Sequence, residues 1–191
     1  MTQLVIGLVL FLGAHSVSIV APGWRDRAAA RIGKPAWQGI YSIVAVVGLV
    51  LLAHGYGIAR QTPVIFYTPP AWLRDTVVML MIVVFPLLFA AYLPGHIRTL
   101  TRHPMLLAVK IWALLHLFAN GSLADLVLFG SILLWAGADR ASLKRRVPRP
   151  APALPSSRWN DWIAVGAGFA LYAVFVHGGH LWLIGVPISL R

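Results

Sequence analysis

Cysteine is absent from this sequence, which excludes disulfides, thiolate zinc sites, iron–sulfur clusters and cysteine nucleophiles. Glutamate is absent too, and the only acids are five aspartates set against sixteen Lys and Arg. Charge of either sign is scarce at 11% of residues, where soluble domains carry roughly a quarter. A globular cytosolic domain is thereby excluded. What is abundant is apolar: 59% of the 191 residues, with a mean hydropathy of +0.80. The composition describes one small integral membrane domain with a basic surface, too short for a second folded domain.

A bilayer core of about 30 Å calls for about 20 apolar helical residues. Six stretches answer to that, and the expected fold is an all-α bundle of about six transmembrane helices. The first is Leu4 to Val20, closed by Pro22-Gly23, and the second is Gln38 to Ala59. The third runs from about Thr76 to Leu93, with Pro86 inside it as a predicted kink. Pro104 to Ala119 is the fourth, with proline in the first turn, where a missing N–H costs nothing. Leu123 to Ala138 is the fifth, and the sixth runs from Asp161 to about Ile184. Asn120-Gly121-Ser122 joins the fourth and fifth as a tight hairpin; the alternative is a re-entrant pair and five spans. Residues 1–140 form a membrane core of five spans, 141–159 a basic, proline-rich cytoplasmic loop, and 160–191 the sixth helix and C-terminus.

Basic residues accumulate on the cytoplasmic side. With both termini outside (N-out/C-out), thirteen of the sixteen Lys and Arg fall on inner segments, leaving Arg60, Arg74 and Arg191 outside. The first span does not read as a cleaved signal peptide, because its cations (Arg25, Arg27, Arg31, Lys34) follow it and none precedes it. In that topology Lys144-Arg145-Arg146 is an orientation signal that touches anionic lipid, and nucleic acid is not an expected partner. The Pro148/Pro150/Pro152/Pro155 tract reads as an extended linker.

The groups suited to chemistry are the seven histidines. A polar group inside a span is expensive and usually faces the bundle interior. At about 1.5 Å of rise per residue, His15 and His116 lie deep in the first and fourth spans, while His54, His177 and His180 sit toward the outer ends of theirs. Trp112, His116 and Asn120 recur four residues apart and share one helix face. Phe11 and His15 share another. Ser122 and Asp125 have the spacing of a capping box, which makes Asp125 a capping acid. A lone membrane histidine can be a hydrogen-bonded structural residue. Two at overlapping depth, with no cysteine or glutamate to compete, also suit a haem held between imidazoles. His103 precedes a helix-initiating proline and can act as a cap; Arg102 can hold a lipid phosphate. His177 and His180, three residues apart, could join His54 as an outer zinc or copper set.

These residues form a recognisable set: Phe11-x-x-x-His15-Ser16, Ile32-Gly33, Gly39-x-Tyr41-Ser42, Gly55-Tyr56-Gly57-x-x-Arg60, Pro94-Gly95, Arg102-His103-Pro104-Met105, Trp112-x-x-x-His116-Leu117-x-x-Asn120-Gly121 and Leu128-Phe129-Gly130. They resemble the NnrU family over roughly residues 4 to 140, weakening through the sixth span. That family includes bacterial membrane proteins associated with denitrification and the plant 15-cis-zeta-carotene isomerase, a haem b enzyme. The resemblance implies haem b held axially by His15 and His116, packed by Trp112 and Phe11, with auxiliary roles for Arg102, His103 and Asn120. It further implies a cis–trans isomerase of a lipophilic polyene, or an accessory or sensor protein responding to nitric oxide, in a bacterial inner membrane. Of the two ligands, His15 is expected to be the one released, because its N-terminal helix is tied at only one end. The chain departs from the pattern at Lys34-Pro35-Ala36-Trp37, where the family has a more acidic, tyrosine-containing stretch.

Two other readings compete: an accessory membrane protein without haem, and an isoprenylcysteine-type methyltransferase, in which Arg-His-Pro opens a motif. The latter needs a tyrosine two residues after the proline and downstream glutamates. Here that position is Leu106, and there is no glutamate.

Overall fold

The computed structural model describes residues 1–147 and 153–188; most of the proline tract, Arg149 and Arg191 lie outside the described residues. Ten α-helices follow one another among them: α1 (Thr2–Val20), α2 (Pro22–Ile32), α3 (Lys34–Ala59), α4 (Ala71–Leu80), α5 (Val84–Ala90), α6 (His96–Thr101), α7 (Pro104–Ala119), α8 (Leu123–Ser142), α9 (Asn160–Val174) and α10 (His180–Ile184). No strand forms among the described residues, where an isolated bridge pairs Ile65 with Ser122. Four helical stretches are long and apolar enough to cross a membrane: Thr2–Val20, Lys34–Ala59, Ala71–Ala90 and Asn160–Ile184. Helix α7, at 16 residues, rises about 24 Å, short of a full bilayer core.

Boundaries differ from expectation where charge was read as an edge. Helix α4 starts at Ala71 rather than near Thr76, because Arg74 and Asp75 sit in turns that tolerate charge. The same stretch stops at Ala90, short of Leu93. At Pro86 the backbone tightens into a 3₁₀ turn over Met81–Val83. The cause is local: proline offers no N–H to the carbonyl four residues earlier and its ring crowds it. The last span is likewise interrupted, by a kink at Gly178 between α9 and α10.

The chain divides into two compact units, with one break at Phe66–Tyr67 and another at Gly121–Ser122. The fourth and fifth expected spans therefore belong to different units.

The first unit holds α1, α2, α3 and α8. Helices α1 and α3 run antiparallel in tight register: Leu4 lies against Gly55, Gly7 against Leu52 and Phe11 against Gly48. A Cβ on any of these three glycines would collide with the partner's backbone. Small residues at such seams let membrane helices approach closely without a hydrophobic driving force. Leu4 is fully buried there. Helix α8 packs on α1 and buries Ala124, Leu128, Ile132 and Ala136, a stripe at four-residue spacing. Its N-terminus carries the capping box: Ser122 Oγ accepts from the Asp125 N–H, and Asp125 accepts from the Ser122 N–H at 2.8 Å. Tyr56 on α3 donates to the other oxygen of Asp125 at 2.5 Å.

The second unit holds the remaining helices. Helix α9 packs on α5 through Gly168, whose missing Cβ makes room for the Pro86 ring, and through a cluster of Ala90, Leu93 and Ala164. Asp161 at the start of α9 accepts from the N–H groups of His96 and Ile97 at 2.7 and 3.0 Å, satisfying the first turn of α6. Tyr67 straps the end of α7, its hydroxyl lying 2.5 Å from the Leu117 carbonyl and 2.7 Å from that of Phe118.

Candidate functional site

His15 lies in the first unit, four residues after Phe11 on α1. Its Nδ1 is 2.7 Å from the Phe11 carbonyl. A carbonyl can only accept, so Nδ1 carries the proton and the lone pair resides on Nε2. The Phe11 ring lies over the imidazole, with centroids 4.4 Å apart. Two further rings approach edge-on: Tyr41 of α3 at 5.3 Å and Trp135 of α8 at 5.7 Å. The Trp135 indole N–H is buried with no hydrogen-bond partner among the described residues, an arrangement that usually costs free energy. His15 also walls a cavity of about 280 Å³ between α1, α2 and α3.

His116 repeats the local device in the second unit. Its Nδ1 donates to the Trp112 carbonyl at 2.8 Å, and the Trp112 ring lies against it at 4.7 Å. The Asn120 amide donates to the His116 carbonyl at 2.9 Å, extending the same face by one turn. Both histidines thus hold the tautomer that presents Nε2, the orientation an outer-shell carbonyl imposes on metal-binding imidazoles. His177 is back-bonded in the same way, to the Ala173 carbonyl at 2.8 Å. The hydrogen bond alone therefore does not select a ligand; the aromatic ring four residues before it separates His15 and His116 from His177.

The expectation that α1 is tied at only one end is corrected. Its N-terminal half is locked to α3 by the Leu4–Gly55, Gly7–Leu52 and Phe11–Gly48 contacts, so any lability of His15 has to come from the side chain's own surroundings. His103 does not cap α7 with its side chain. The strain in that motif falls one residue earlier. Arg102 has φ 61°, the one positive value for a non-glycine residue among those described, and the His103 N–H reaches back to the Thr101 carbonyl at 2.7 Å. This is the rare, strained form of the three-residue γ-turn.

Among the described residues no three His, Cys, Asp or Glu side chains come together, and the three outer histidines have local partners. His54 pairs with the Gln3 amide oxygen at 3.2 Å and His180 with the Val186 carbonyl at 2.8 Å.

Each unit thus carries one aromatic-backed imidazole, His15 on α1 and His116 on α7. A family model described as NnrU protein matches residues 3–188, nearly the whole chain. The chain belongs to the NnrU family. The NnrU match extends well past residue 140 and takes in the sixth expected span, which the quoted motifs alone had not covered. No curated protein and no solved structure matches this NnrU sequence.

Sequence reasoning missed Tyr41 and Trp135 at His15, and Tyr56 at Asp125. Each contact joins residues more than twenty positions apart on different helices, so no local spacing reveals it. Gly39-x-Tyr41 and Gly55-Tyr56 did stand in the family motif, which was the one available signal.

Proposed function

We propose that this protein is a multi-pass haem b protein of a bacterial inner membrane, with His15 and His116 as the residues that would hold the iron. The observation that carries the reading is the repeated unit of aromatic residue, three intervening residues and histidine, with Nδ1 back-bonded and Nε2 presented. Family membership supports it. So does the apolar setting, since neutral imidazoles in a helical bundle suit haem iron. The chain crosses six times with both termini outside. Beside the four long apolar helices, α7 and α8 supply the two further crossings, and thirteen of sixteen cations then lie inside.

When bound, haem supplies redox-controlled Lewis-acid chemistry toward a polyene or a gaseous ligand. The protein's own part is to hold two rings differently. Trp112, Asn120 and the Tyr67 strap fix the turn that carries His116. His15 is held by ring packing beside a cavity, so it is the ligand that yields. With haem bound, a yielding His15 would leave the iron open to a lipophilic cis-polyene in an isomerase, or to nitric oxide in a denitrification-related sensor or accessory protein.

The test is spectroscopic. Purified in detergent with haem supplied, the protein is expected to show a reduced-minus-oxidised α-band and to bind carbon monoxide when reduced. Absence of any Soret change overturns the haem reading. A haem that stays inert to carbon monoxide in both redox states overturns ligand release and leaves a structural or electron-transfer role. Conversion of a cis-carotene by the loaded protein separates enzyme from sensor.

A further inference from the structure

The cavity beside His15 has a chemistry of its own. The close α1–α3 seam ends at Gly48. Beyond it Tyr41 and Trp37 stand on α3 where glycines stood before, and a space of about 280 Å³ opens, closed on its third side by α2. Its polar lining is Ser18, Arg25, Gln38 and Tyr41, with His15 and Trp37 forming the rest of the wall that matters here. None of its eight lining residues is acidic. One cation and several hydrogen-bond donors around a space with no acid in its lining favour an anion.

Arg25 is positioned for this. Its guanidinium lies 5.8 Å from the Trp37 ring centroid and 2.9 Å from Asp26. The Asp26 side chain is 54% exposed, and an ion pair that open to solvent is worth at most about 1 kcal/mol, so it competes weakly with a ligand carboxylate or phosphate. Trp24 packs edge-on against Trp37 at 5.8 Å. Paired tryptophans of this kind mark the headgroup level of a bilayer, where an anionic group meets an apolar tail. The volume admits a headgroup and excludes a whole large ligand.

We propose that this cavity is a binding site for the anionic end of an amphiphile, a carboxylate or phosphate paired with Arg25 and hydrogen-bonded by Ser18, Gln38 and Tyr41. Two sources share that chemistry: a propionate of the haem, which would rest on the haem reading above, and the phosphate of an anionic lipid, which would not.

The experiment uses the full chain in phosphatidylcholine nanodiscs and three probes: haem b, haem b dimethyl ester and phosphatidylglycerol. Arg25→Gln is compared with wild type and with Arg31→Gln, an exposed cation on the same helix. If the source is haem, Arg25→Gln weakens haem b at least tenfold, leaves the dimethyl ester unchanged, and Arg25→Lys recovers part of the loss. If the source is lipid, Arg25→Gln abolishes the retention of phosphatidylglycerol seen by native mass spectrometry while haem affinity holds. Arg31→Gln changes neither. Gln38→Ala, at an exposed residue, is the milder variant should Arg25→Gln fail to fold, and a several-fold loss for the same probe is expected. Should wild type bind neither haem nor its ester, the haem reading falls and the lipid arm alone decides the cavity. Less than a twofold change in both haem b and phosphatidylglycerol binding on Arg25→Gln or Gln38→Ala overturns the proposal.

Discussion

His15 and His116 share one local device and differ in everything around it. Each follows an aromatic residue by four positions, and each donates Nδ1–H to that residue's carbonyl. Around His15 the remaining contacts are rings: Phe11, Tyr41 and Trp135, supplied by three helices. Around His116 the helix end is held by directional bonds, from Asn120 to the His116 carbonyl and from the Tyr67 hydroxyl at the next two carbonyls. An aromatic pair contributes about 0.5–1.5 kcal/mol and tolerates sliding. A backbone-directed hydrogen bond contributes about 1 kcal/mol and fixes orientation. The difference teaches that a shared sequence motif sets the tautomer, while distant partners set how firmly the ring is held.

The most disruptive way to break the comparison is at the seam under His15. Gly48→Val drives a side chain into the Phe11 backbone and is expected to cost about 3 kcal/mol, read as a large fall in Tm in detergent, with the environment of His15 disturbed and that of Trp112 and His116 unchanged in tryptophan fluorescence and ring NMR shifts. Next comes Asp125→Ala. It strands Tyr56 and removes the carboxylate half of the α8 capping box, leaving the Ser122 cap, and about 2 kcal/mol of destabilisation is expected by thermal unfolding. Tyr56→Phe, which keeps the cap, should cost about half of that. On the other side, Tyr67→Phe removes the strap on α7 at about 1 kcal/mol. Amide exchange at the last turn of α7 should quicken while α1 is unaffected. The smallest effect has the opposite sign. Arg102→Gly accepts the φ of 61° without strain and should raise stability by about 0.5–1 kcal/mol. A loss of stability would mean that the Arg102 side chain holds the motif together.

How far the sequence was legible follows from the range of each interaction. Helix α7 begins and ends where Pro104 and Asn120 predicted, and the Ser122–Asp125 capping box is present, because proline geometry and capping act within four residues. The Phe11–His15 and Trp112–His116 pairings were legible for the same reason. The glycine seam was not read, although Gly48 and Gly55 stand seven residues apart on α3: their meaning depends on Leu4 and Phe11 lying opposite. Nor was the strain at Arg102 visible, since a positive φ in arginine has no compositional signature. Trp135 illustrates the limit best. It sits on α8 among apolar residues, and only the packing of α8 on α1 turns its ring toward His15.

The central proposal is that His15 and His116 are the haem-holding residues, His116 held firmly and His15 loosely. The most direct measurement is the absorption spectrum of haem-supplied wild type, His15→Gly and His116→Gly, each recorded with and without added imidazole. The account predicts a six-coordinate wild-type spectrum, loss of that spectrum in both variants, and restoration by imidazole at lower concentration in His15→Gly, where the neighbouring cavity admits the exogenous ring. A wild-type spectrum retained in either variant without imidazole would contradict it.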